Sequence, residues 1–257
     1  MKSTEAYGVL IAAGHNEPVS VDIVARLLGL STAEASAVLG RMVKLQLATR
    51  VRRGLYLVKP AVEIGTPTLG TDIYKAAIAL VDASNAYVGF YSALHHHALV
   101  VRPATTVYVA ATARRRSRTI GGMSVRFVAV DPNRLFGITE DDGVPWSDLE
   151  RTLVDAVYRP EYSGGMDTVI GAFRRVADTL DIARLRDYLQ RLNVSTVTRR
   201  TEYVIARLGL AQEATAAPVG KKHRRYSLLD PKGPSDGQTI PKYELIDNVP
   251  ASVWHGS

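Results

Sequence analysis

Cysteine is absent from this chain. That excludes disulfide bonds, thiolate nucleophiles and cysteine-ligated metal. Long apolar runs are absent as well. The opening stretch MKSTEAYGVLIAAGHNEP carries one lysine and an apolar patch broken by Gly8 and Gly14, too short for a signal peptide or a membrane span. No later run reaches the length a bilayer requires, so a soluble, cytoplasmic protein with no membrane partner is the expectation. The patterns G-x-x-x-x-G-K-S/T, G-x-S-x-G and G-x-G-x-x-G are also missing, which leaves phosphate-loop, serine-hydrolase and dinucleotide readings without support. What is present is ordinary for a globular chain: 257 residues, 46% hydrophobic and 22% charged, enough for two domains. The net charge of +7 favours a polyanion or an acidic protein as partner.

The stretch from Ser20 to Pro60 is the most informative. Ser31 and Glu34 form an S-x-x-E capping box, so a helix starts at Ser31, and Gly29 can end the preceding helix in a left-handed conformation. At one hundred degrees per residue, Ala35, Val38, Leu39, Met42 and Leu45 fall on one side, facing Ile23, Val24, Leu27 and Leu28 of the first helix. The other side carries Ala33, Ala37, Gly40 and Lys44, flanked by Ser36 and Arg41. Ala48–Val51 and Leu55–Val58 read as a hairpin turned by Arg52, Arg53 and Gly54, with Arg50, Arg52, Arg53 and Lys59 as a basic cluster. Two helices, a tight turn and a hairpin predict a winged helix-turn-helix over 1–60, with Val9, Leu10 and Ala13 packing from an earlier helix.

The segment 61–71, with two prolines and two glycines, predicts a linker, and 72–257 a larger α+β domain: a small mixed sheet, then helices. Asp72 is the expected cap of a helix over 73–81. Asn85–Val88, Thr106–Ala110 and Ser124–Val130 read as strands, with ARRRSRTIGG as an arm between the last two. Ser147 is the expected cap of DLERTLVDAVYR, buried through Leu149, Leu153, Ala156 and Val157 and ended by Pro160. Helices follow over 166–180, 182–192 and 195–208, then a strand RRYSLLD and a mobile polar tail around KGPSDGQT.

Chemistry-bearing clusters are few. His95, His96 and His97 are helical neighbours a hundred degrees apart and cannot close on one ion, so neither metal nor cofactor is expected. Asp131, Asp141, Asp142 and Glu150 could be assembled into a nuclease site, but no lysine lies at the matching spacing. The candidate DNA-contacting set is therefore Thr32, Ser36, Ala37, Arg41 and Lys44 on the second helix, Arg50, Arg52 and Arg53 on the wing, and Arg114, Arg115, Arg116 and Arg118 on the arm. Lys221–Arg225 is a third basic run. Two function classes stand: a DNA-binding regulator without enzymatic activity, or a nucleic-acid-processing enzyme targeted by the winged helix.

Several segments resemble the AbiEi antitoxins of the AbiE abortive-infection, or type IV, toxin–antitoxin systems. They are RRGLYLVKP, YSALHHHAL, YSLLDP and above all ERTLVDAVYRPEYSGG at Glu150–Gly165. The late helix TRRTEYVIARLG departs from that family in the placement of its RLG. The resemblance implies a bacterial two-domain protein whose winged helix represses its own operon at repeated promoter sites. It also implies a second domain that counteracts a nucleotidyltransferase toxin encoded alongside, with or without a stable complex.

Overall fold

The computed structural model of the chain describes residues 2–14, 17–64, 72–211 and 226–255. The fold is α+β, with ten α-helices and three sheets among the described residues. Two compact units divide it, the first made of Met1–Val88, Thr105–Ala129 and Asp141–Pro145, the second of Gly89–Ala104, Val130–Glu140 and Trp146–Ser257.

The chain begins with α1 (Ser3–Ala12), a two-residue strand β1 (Val19–Ser20), α2 (Val21–Leu28) and α3 (Thr32–Lys44). The Ser20 side chain caps α2 by accepting from Ile23 N at 3.3 Å, and Gly29 at φ +61° lets the chain leave the helix. Three residues later α3 starts at the expected place: Ser31 Oγ accepts from Glu34 N at 3.3 Å, and Ser31 N donates to Glu34 Oε2 at 2.9 Å. The α2 and α3 axes bend by 104°. A hairpin of β2 (Ala48–Arg52) and β3 (Leu55–Val58) follows, bulged between Arg50 and Arg52 and turned at Gly54, φ +75°. β1 pairs with β3 and makes this a three-stranded sheet, β1-β3-β2, that two-residue periodicity could not announce.

The small core beneath these elements holds Ala6, Leu10, Val24, Leu28, Ala35, Val38, Leu39, Met42, Tyr56 and Val58. Its membership corrects several expectations. α2 buries Val21, Val24, Ala25 and Leu28, an i, i+3, i+4, i+7 set, which leaves Leu27 exposed and Ile23 only half-buried. Leu45 is 55% exposed, because α3 ends at Lys44 and the chain turns inward only at Leu47. Val9 and Ala13 are exposed, while Leu10 is buried as expected and Ala6 faces inward with it. Lys59 is buried rather than part of the basic cluster; its N–H donates to Leu47 O, and its carbonyl accepts from Tyr7 Oη at 3.0 Å.

The later part of the chain contains α4 (Asp72–Ile78), β4 (Ala86–Val88), α5 (Phe90–His96), β5 (Thr106–Ala111), β6 (Arg118–Ile120), β7 (Met123–Ala129), β8 (Ile138–Asp141) and β9 (Val144–Ser147). The strands order as β6-β7-β5-β4-β9-β8. β5 and β7 run parallel, and β6 folds back antiparallel to β7 as the edge. Where the sequence suggested an acid-rich loop at 140–142, Glu140 and Asp141 belong to β8, and Asp142 and Gly143 turn the chain into β9. Residues 65–71 of the expected linker, and the Asp72 side chain, lie outside the described residues.

In the second unit α6 (Leu149–Tyr158) is central, with α5, α7 (Met166–Arg175), α8 (Ile182–Leu192) and α9 (Ser195–Arg207) packed on it. Asp148, not Ser147, caps α6: its Oδ1 accepts from Arg151 N at 2.8 Å, while Ser147 ends β9 with its hydroxyl 2.8 Å from that of Thr152. All residues of α6 from Glu150 to Val157 are buried; among its charges, Arg151 pairs with Asp155 at 3.0 Å, and Glu150 accepts from Asp181 N at 3.1 Å. β10 (Ser227–Leu228), β11 (Gln238–Ile240) and β12 (Leu245–Asp247) form a third sheet, followed by α10 (Ala251–His255). The expected mobile tail is thus structured from Tyr226 to His255, tied down by Arg207 on Asp247 and by Asn248 Nδ2 donating to Asp230 O and Pro234 O.

Candidate nucleic-acid interface

One side of α3 is fixed by burial and the other is left to solvent. Leu39 and Met42 are fully buried, and removing each side chain from water contributes about 1.5–3 kcal/mol to holding the helix in place. On the opposite side Ala33, Ser36, Ala37 and Lys44 are exposed and Gly40 is half-buried. At 3.6 residues per turn these five share one face, with Thr32 and Arg41 on its two shoulders. Small side chains let the helix backbone lie close to a surface, and a helix about 10–12 Å across matches a major groove about 12 Å wide. The only acid in α3, Glu34, is turned back onto the helix start. The Ser31 hydroxyl and amide hold its carboxyl below the ordinary carboxylate range. Arg41 reaches sideways, its Nε donating to Ser3 Oγ of α1 at 3.4 Å.

The hairpin supplies the charge. Arg50, Arg52 and Arg53 are exposed, and among the described residues none of them is paired with a carboxylate. Gly54 makes the sharp tip, since a φ of +75° is costly for any residue with a Cβ. β2 lies against β6, the edge strand of the six-stranded sheet. That brings the arm to the hairpin: Arg52, Arg114, Arg115, Arg116 and Arg118 line one cavity of about 260 Å³ together with Leu80 and Phe127. Of the twelve candidate residues, five therefore converge on one cavity, and Thr32, Ser36, Ala37 and Lys44 share the exposed side of α3.

No family model matches the chain, and no curated protein does. Among solved structures it is similar to the crystal structure of the Rv2827c protein from Mycobacterium tuberculosis. The TM-score is 0.64 at 13% identity, covering 95% of this chain and 92% of that one. At that identity the likeness is one of fold.

Other clusters have structural partners. His96 stacks on Trp146 with ring centroids 4.0 Å apart, and the His97 ring lies 2.8 Å from Ser147 O; no three of His, Asp and Glu come together as a metal site among the described residues. Asp131 accepts from Asn133 N at 2.9 Å to cap the short 3-10 turn at 132–134. Asp142 and Glu17 both grip the buried ammonium of Lys75 on α4, at 3.0 and 2.9 Å. Burial works against that charge, but hydrogen bonds to the two carboxylates prevail and the Lys75 pKa is raised. Sequence reading missed this clamp, as it missed Leu80 and Phe127, because no local spacing announces a contact between distant segments. The Lys221–Arg225 run lies outside the described residues. Among the described residues, no single helix is long and apolar enough to cross a membrane.

Proposed function

We propose that the residues up to Pro60 act as a winged helix-turn-helix, and that the chain is a DNA-binding transcriptional repressor of its own promoter. α3 enters the major groove with Ser36 and Ala37 against base edges and Lys44 on the backbone. The β2–β3 hairpin lies along the phosphates as the wing. The observation that carries this reading is the 104° α2–α3 pair with a small-residue exposed face on α3, followed by a hairpin whose tip arginines have no carboxylate partner among the described residues. Helix-turn-helix pairs cross at about 90–120°, and cations left unpaired near an approachable helix face favour phosphate contact.

The second half of the proposal is that the chain serves as the antitoxin of a type IV toxin–antitoxin system and counteracts a nucleotidyltransferase toxin. Its support is the resemblance to the AbiEi antitoxins, concentrated in the segment that forms α6 and the turn after it. A fluorescence-anisotropy titration against duplex from the chain's own upstream region tests the first half. Saturable binding that prefers this duplex over a scrambled one supports it, and equal affinity for both removes the repressor role. Co-expression with the nucleotidyltransferase encoded alongside tests the second. Restored growth supports the antitoxin role, and toxicity undiminished by the chain removes it.

A further inference from the structure

The arginine-lined cavity holds more positive charge than a DNA strand lying across it would neutralise. A sphere of 260 Å³ is about 8 Å across, a length over which one strand of B-DNA carries about two charges. Five arginines line that space, four from the loop and edge strand after β5 and one from β2. No carboxylate pairs with any of them among the described residues. Guanidinium forks bind phosphoryl oxygens two at a time, and their mutual repulsion is relieved in proportion to the negative charge placed among them. A chain of three phosphoryl groups concentrates about four charges into the same length. The apolar part of the lining is buried Leu80 and half-buried Phe127.

We propose that this cavity is a regulatory site for an oligophosphate, inorganic or carried by a nucleoside, whose binding occupies Arg52 and thereby competes with DNA for the wing. The competition rests on the DNA-binding reading; the site itself does not. Arg52 is the link, since it belongs at once to the hairpin and to the cavity wall. Sodium tripolyphosphate in the free cavity draws Arg52 and the four arm arginines together. A duplex must then dock on a wing that has lost one cation.

Isothermal titration calorimetry on the full chain, at roughly physiological salt, is the test. One site is expected, with tripolyphosphate binding at least roughly tenfold more tightly than orthophosphate. R115A/R116A/R118A and the separate variant R52A each weaken it, while S36A/K44A on α3 leaves it unchanged. These arginines are exposed, so the unfolding midpoint stays put. Equal affinity for ATP and tripolyphosphate assigns the site to the phosphate chain alone. Tighter ATP binding that is lost in F127A assigns it to a nucleoside polyphosphate. Absence of saturable binding, equal affinity for orthophosphate, or indifference to both arginine variants overturns the site. Duplex binding that persists unchanged at saturating tripolyphosphate overturns the competition. Tripolyphosphate binding by a chain that binds no duplex leaves the site standing and removes the repressor reading instead.

Discussion

Replacing Arg52 and Arg53 together by alanine gives a quantitative test of the wing. Both side chains are exposed at the hairpin tip, and neither pairs with a carboxylate among the described residues, so the double variant loses no contact that holds the fold. On the proposed function it loses two phosphate neutralisations. Each neutralised phosphate contributes about 0.9 to the slope of log affinity against log salt, so the variant's slope is shallower by about 1.8. Between about 50 and 200 mM salt, the parent chain should therefore lose about twelvefold more affinity than the variant. Anisotropy titrations of both proteins across that range, with the same labelled duplex, read the difference directly. The loss should also be the same for cognate and scrambled duplexes, because backbone contacts carry no sequence information. Two parallel salt plots would refute the reasoning, and so would a loss confined to the cognate duplex.

Three further outcomes follow from the packing. Ser31→Ala removes the hydroxyl that accepts from Glu34 N and should cost about 1 kcal/mol in chemical denaturation, against no change for the exposed Thr32→Ala. Leu39→Ala opens a cavity at a fully buried position of the N-terminal core and should cost about 2–5 kcal/mol, with DNA affinity falling as α3 loosens. Tyr188 is raised from 10.0 to about 12, by burial first and then by its hydrogen bond to Asp148 at 2.6 Å. A raised pKa means that the folded state favours the neutral phenol. Its contribution is therefore complete below pH 10 and lost as pH rises towards about 12. Tyrosinate absorbance should show Tyr188 ionising only at the top of that window; a normal titration at pH 10 would refute the burial argument.

Local signals in the sequence located the elements, and tertiary contacts decided what their side chains do. The Ser31–Glu34 box, the left-handed Gly29 and the Gly54 tip are each set by one or two neighbouring residues, and all three stand where the pattern placed them. The helices at 182–192 and 195–207 were legible for the same reason, with Asp181 capping the first. Burial at element ends was not. Leu45 and Lys59 exchange their expected environments because the chain turns at Gln46, φ +58°, and this decides which side of the following strand faces the core. β8 leaves no signal in the sequence because all its residues, Ile138 to Asp141, are exposed and carry no apolar alternation. The pattern offers Ser147 as the cap one residue early; Asp148 holds that place because its carboxylate reaches Arg151 N while Ser147 completes β9. The assembly of Arg52 with the arm depends on β2 meeting β6, a contact between segments far apart in the chain.

On the proposed function the exposed side of α3 faces duplex DNA. Ala37 lies in the middle of that side, exposed and without a packing role, so Ala37→Glu adds a carboxylate there while leaving the core intact. Anisotropy against the upstream duplex should show affinity falling by about a hundredfold or more, since a charge with no partner would be forced against phosphates and base edges, while the unfolding midpoint is unchanged. Binding of the A37E chain with the parent's affinity and the parent's sequence preference would contradict the account.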